Sequence, residues 1–134
     1  MRVRLSRESV QGPLVHEIEA ISGQRLLDCY QCGRCTSGCP LVEEMDVLPN
    51  QVIRLAQLGL ADVLEAKAPW VCAACLTCQA RCPKGVDLPR VMEALRQIAL
   101  RQGPIRLEAV RIAPDILEHA PQMAVVGALR KAGK

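Results

Sequence analysis

Apolar positions along the chain recur at helical spacing, and no alternation of period two survives for long. A short helix is predicted from about Leu14 to Ile21. Ser22 and Gly23 stop it, and a polar, Arg-rich stretch precedes it. A second helix runs from Pro49 to about Leu58, with Val52, Leu55, Ala56 and Gly59 on one face. Proline suits the first turn there, and Gly59 suits the end. A third covers Leu60 to Ala66 with Val63 and Leu64 inward, and is expected to end before Pro69. The strongest pattern is Leu88, Val91, Met92, Leu95, Ile98 and Ala99, with Asp87 as N-cap and Gly103-Pro104 as the stop. Arg90, Glu93, Arg96 and Arg101 are assigned to its other side. Pro104–Ala113 and Asp115–His119 read as two more short helices, punctuated by Pro114 and Pro121. The tail, 122–134, reads as an amphipathic helix or a frayed terminus. The expected architecture is all-α: an N-terminal segment 1–24, a core 25–103 and a C-terminal helical extension 104–134.

Two stretches interrupt this periodicity and carry the chemistry. Cys29, Cys32, Cys35 and Cys39 followed by Pro40 form C-x2-C-x2-C-x3-C-P, and Cys72, Cys75, Cys78 and Cys82 followed by Pro83 repeat it. Together they use all eight cysteines. This spacing is the bacterial ferredoxin signature, in which the fourth cysteine serves the other cluster. Three close cysteines can wrap three corners of a cubane, while the fourth lies beyond the turn. Two [4Fe–4S] clusters are therefore expected, one on Cys29, Cys32, Cys35 and Cys82, the other on Cys72, Cys75, Cys78 and Cys39. Gly33 and Gly38 sit between ligands, where a bare backbone can approach closely and turn its N–H groups towards sulfur.

Composition agrees. The chain has 134 residues, half of them hydrophobic, with no Phe, one Trp and one Tyr, so its core is aliphatic. The formal charge of +3 invites a nucleic-acid reading. Each oxidised cluster with its four thiolates adds two negative charges, and two of them bring the total to −1, which removes the support for nucleic-acid binding. The opening Met1–Glu8 is charged and never reaches an apolar run, so no secretory leader is expected. No stretch approaches the length of a membrane span. A soluble, reducing, cytoplasmic setting is the expectation, which argues against disulfides. Zinc sites with four cysteines have the right ligand count, but normally as paired C-x2-C knuckles across a longer loop.

Neighbouring residues have two readings each. Arg34, Arg81 and Lys84 are either solvated cations or cations that favour the reduced cluster. Tyr30 and Trp70 either pack simply or shield a cluster from water. His16 reads as a surface histidine.

Cys29-Tyr-Gln-Cys-Gly-Arg-Cys-Thr-Ser-Gly-Cys-Pro40, then Trp70-Val-Cys-Ala-Ala-Cys-Leu-Thr-Cys-Gln-Ala-Arg-Cys-Pro-Lys-Gly-Val-Asp-Leu88, then Val91-Met-Glu-Ala-Leu-Arg96, closely resemble the C subunit of heterodisulfide reductase. The similarity runs from about Asp28 to Gln102. It implies an α-helical ferredoxin fold with two [4Fe–4S] clusters. It also implies two partners, a B subunit with cysteine-rich CCG motifs and an FAD-containing A subunit. Related modules serve sulfur-oxidising complexes and the succinate, glycolate and glycerol-3-phosphate dehydrogenases, so a subunit of another flavin dehydrogenase is the alternative. A structural zinc module is the remote one. No adjacent Cys-Cys pair, G-x-G-x-x-G or P-loop occurs in the chain. The expected role is electron transfer without a substrate site of its own.

Overall fold

The computed structural model describes residues 6–10, 12–102 and 112–132, with side chains as far as residue 127 in the last stretch. Every regular element among the described residues is helical. The chain divides into two compact units, Met1–Ile98 and Ala99–Lys134. In chain order the helices are α1 (Arg7–Val10), α2 (Pro13–Ser22), α3 (Arg34–Ser37), α4 (Pro49–Gln57), α5 (Asp62–Glu65), α6 (Ala68–Val71), α7 (Thr77–Arg81), α8 (Leu88–Gln102), α9 (Pro114–His119) and α10 (Gln122–Ala132). Two 3-10 turns, Leu26–Asp28 and Val42–Glu44, complete the set.

The punctuation explains the helix limits. Pro13 opens α2, and Gly23, at φ 66°, closes it by donating its N–H to the Glu19 carbonyl. Pro49 opens α4, where the Gln51 side chain reaches back to accept the Leu48 N–H at 3.1 Å. Asp87 caps α8 as expected, its carboxylate accepting the Arg90 N–H at 3.2 Å. Gly59 ends α4 at φ 64°, and the Ser9 carbonyl of the N-terminal segment lies where its Cβ would be. Only glycine meets both demands.

The core follows the predicted faces. Val52, Ile53 and Ala56 of α4 meet Val91, Met92, Ala94, Leu95 and Ile98 of α8, with Val15 and Ile18 of α2, Leu26 and Val63 around them, all buried. It is aliphatic throughout. Each such side chain contributes about 1.5–3 kcal/mol on burial. The central element is α4, which packs on α2, α3, α5 and the first 3-10 turn.

Three expectations change. The helix expected over Leu60–Ala66 is the single turn of α5, and Pro69 lies in the first turn of α6. A residue without an N–H loses nothing in a first turn, so Pro69 starts a helix where an end was expected. Pro114 opens α9, one residue before the expected start at Asp115. The cysteine loops also contain helix, α3 and α7. The helix expected over 104–113 lies outside the described residues except for Ile112 and Ala113. The tail takes the helical alternative as α10.

Candidate metal centres

Each cysteine run folds into the same shape. Left-handed backbone occurs at Gln31 (φ 63°) and Gly33 (φ 77°) in the first loop, and at Ala74 (φ 53°) and Leu76 (φ 64°) in the second. These pairs occupy matching positions, two and four residues after the first cysteine. A short helix follows in each case, α3 carrying Cys35 and α7 carrying Cys78, and the two helices pack against each other. Left-handed conformation costs a non-glycine residue about 1–2 kcal/mol. Gln31, Ala74 and Leu76 all bear it between ligand positions, where alternating backbone turns N–H groups into a concavity suited to anions. Gly33 has the positive φ expected of it. Gly38, at φ −108°, does not; its missing Cβ makes room for the Arg81 side chain instead.

The duplication extends beyond the loops. The Gln57 side chain, buried on α4, donates to the carbonyls of Leu26 (2.7 Å) and Cys29 (2.9 Å). The Arg96 guanidinium on α8 donates to the carbonyls of Pro69 (2.8 Å) and Cys72 (3.3 Å). Each pair of carbonyls belongs to the first cysteine of a run and the residue three before it. The helix after each loop thus clamps the turn before it, the first 3-10 turn in one half and α6 in the other. Sequence reasoning missed both clamps, and Arg96, assigned to the outer face, points inward far enough to make one. A glutamine on the same face as Val52, Ile53 and Ala56 was the available signal for Gln57. Self-comparison could not pair a glutamine with an arginine.

Two clefts lie at the loops. One, of about 390 Å³ including its open mouth, is lined by Cys39, Cys72, Cys75 and Cys78, with Pro40, Leu41, Met45 and Met92 among its apolar walls. The other, of about 360 Å³, is lined by Cys29, Cys32, Cys35 and Cys82, with Gln31, Arg34 and Asn50. Cys78 and Leu88 reach both. Among the described residues no three of His, Cys, Asp or Glu stand close enough to hold a single metal ion. Zinc would draw its sulfurs to within about 4 Å of one another at bonds of about 2.3 Å. Burial pushes the Cys35 thiol up and the Cys78 thiol up to about 11. Low-dielectric surroundings disfavour a bare thiolate at both, and iron is the kind of positive partner that offsets this. At exposed Cys75 the Thr77 hydroxyl, 3.4 Å from the sulfur, lowers the thiol instead.

Polar groups around the sulfurs are unevenly shared. The Gln31 amide donates to Cys29 Sγ at 3.6 Å, and the Val86 N–H donates to Cys82 Sγ at 3.3 Å. Arg34 lines the second cleft, Arg81 lies over Gly38, and Lys84 is exposed. Tyr30 and Trp70 are 59% and 40% exposed, and neither lines either cleft. His16 is at the surface.

The family model for the 4Fe-4S dicluster domain matches residues 25–86. The C subunit of the ferredoxin:CoB-CoM heterodisulfide reductase of Methanosarcina mazei is 37% identical over 97 residues, which cover 72% of this chain and 60% of that protein. The second iron-sulfur C subunit of the CoB–CoM heterodisulfide reductase of Methanocaldococcus jannaschii is 38% identical over 89 residues, 66% of this chain and 48% of the relative. The corresponding C subunit of Methanopyrus kandleri is 38% identical over 92 residues, 68% and 46%. The chain thus spans about half the length of the curated relatives it matches.

Proposed function

We propose that this chain, which matches the 4Fe-4S dicluster domain over residues 25–86 and is similar to heterodisulfide reductase C subunits, is the iron–sulfur electron-transfer subunit of a heterodisulfide-reductase-type assembly. Its partners in this reading are a flavin-containing A subunit and a CCG-type B subunit, between which it relays electrons. Cys29, Cys32, Cys35 and Cys82 hold one [4Fe–4S] cluster, and Cys72, Cys75, Cys78 and Cys39 hold the other. The observation that carries the reading is the grouping at the clefts: Cys39 of the first run lines one with Cys72, Cys75 and Cys78, and Cys82 of the second lines the other with Cys29, Cys32 and Cys35, where Cys78 also reaches. Cys78 is assigned to its own run, whose cleft it shares with Cys72 and Cys75. Bound there, such clusters supply one-electron storage and transfer.

The chain's own residues do the rest. Gln57 and Arg96 hold the two Cys29 and Cys72 turns against the long helices, and Met45, Met92 and Leu88 keep water from one side of the sulfurs. All eight cysteines are used as ligands, so the substrate chemistry belongs to a partner. Anaerobic purification of the native assembly tests this directly. The expected result is about eight irons and eight labile sulfides per chain, no zinc, and co-purification with a CCG-motif protein. Two zincs per chain, or reduction of a disulfide by the isolated chain, would overturn it.

No helix among the described residues is long and apolar enough to cross a membrane.

A further inference from the structure

The two loops match in backbone but differ at one informative position. Gln31 and Ala74 have the same place in their runs and the same left-handed conformation. The glutamine carries a donor to sulfur, and the alanine carries none. Gln31 is also held by a relay of hydrogen bonds that starts at α4. The Asn50 N–H, which can only donate, binds Thr36 Oγ1 at 3.1 Å. The Thr36 hydroxyl hydrogen then goes to Asn50 Oδ1, at 2.6 Å. That fixes the Asn50 amide with its Nδ2 towards Gln31 Oε1, at 3.5 Å. Gln31 must therefore present its own Nε2, and it does so to Cys29 Sγ at 3.6 Å. A backbone N–H at the start of α4 is thus converted, through three side chains, into a donor aimed at one ligand sulfur.

Hydrogen bonds to ligand sulfurs stabilise the more negative, reduced state and raise the reduction potential. The first cluster's sulfurs receive Gln31 and the Val86 N–H, both at partly buried positions. In the second set Cys75 Sγ pairs with the Thr77 hydroxyl at an exposed position where water competes, Cys78 Sγ has the Gln79 N–H, and no side-chain amide reaches a sulfur; the cleft is otherwise walled mostly by apolar side chains. We propose that Gln31, oriented by Thr36 and Asn50, sets the two clusters apart, making the one on Cys29, Cys32, Cys35 and Cys82 the more easily reduced. Gln31 is a positioning and tuning residue in this scheme, and the asymmetry gives electrons a preferred resting place within the chain. The inference rests on the two-cluster reading.

The test is an EPR-monitored redox titration of the full chain carrying about eight irons, beside Gln31→Met, which keeps the length and removes the donor. Wild type is expected to show two separate midpoints. In Gln31→Met the higher one should fall, with about a fivefold to tenfold loss in its one-electron reduction constant, roughly 40–60 mV, while the lower one stays. Asn50→Leu, which lies outside the cysteine runs in sequence and releases the Gln31 amide, should move the same midpoint in the same direction by less. A chain that loads only four irons would defeat the two-cluster reading itself. Full loading with no movement, movement of the lower midpoint, or equal movement of both would overturn the tuning role alone. Loss of loading in both variants would make the relay structural and overturn it as well.

Discussion

Asp46 does more than its exposed position suggests. Its carboxylate accepts the N–H groups of Val47 and Ala68 at 2.9 Å on one oxygen, and that of Lys67 at 2.8 Å on the other. It thereby caps the start of α6 from 21 residues away and ties the connector after the first loop to the approach to the second. The N–H of Lys67 is the main reason that the Asp46 carboxyl is held below its usual range; burial opposes it, and the N–H groups of Ala68 and Val47 add to the lowering. A depressed carboxyl contributes stability that is present above its unfolded value, near 3.9, and is lost as pH falls through the lower folded value. Asp46→Asn should therefore be less stable than wild type at neutral pH, and the gap should close on acidification below about pH 4. Solvent screening keeps the neutral-pH difference at about 1 kcal/mol, the scale of a lost helix cap. Thermal unfolding of both proteins across pH measures it; a gap that widens in acid would show that the charge is not what matters.

At the scale of elements, the unit that repeats is turn, cysteine loop and clamping helix. The cysteine spacing, Pro49, Gly59, Asp87 and the α8 face were legible because each depends on residues close in sequence. The clamps were not, because Gln57 reaches back 28 residues to Cys29 and Arg96 reaches back 24 to Cys72. Neither distance is encoded in a local pattern. Pro69 was misread for a related reason, since proline is compatible with both sides of a helix boundary and only the packing decides. The clamps make separable predictions. Gln57→Leu removes a donor from two carbonyls in a buried place, at a cost of about 1–3 kcal/mol, and should loosen the Cys29 loop. Arg96→Met should do the same to the Cys72 loop. Under a chelator challenge followed by EPR, each variant is expected to lose a different cluster first. Identical loss in both would mean that the clamps serve the whole fold and not their own loops.

At the scale of the molecule, the two loops meet where each sends its last cysteine to the other's cleft. Cys39 leaves the first loop to line the cleft of the second, and Cys82 makes the reverse exchange. Helices α3 and α7 pack together at this crossing, and the Arg81 side chain fills the space over Gly38 beside it. Pairs of ligand substitutions test the crossing more sharply than single ones, because two losses at one site are not additive. If Cys82 completes the Cys29–Cys35 set, Cys82→Ala and Cys32→Ala damage the same cluster. The double variant should then keep about four irons per chain, as each single variant does. Cys82→Ala combined with Cys75→Ala should lose nearly all of the iron, since each removes a corner of a different cluster. The opposite pattern, with the Cys75 and Cys82 pair retaining iron and the Cys32 and Cys82 pair losing it, would place Cys82 with its own run. Cys39→Ala combined with Cys75→Ala provides the mirror test, and is expected to retain the cluster that the first pair loses.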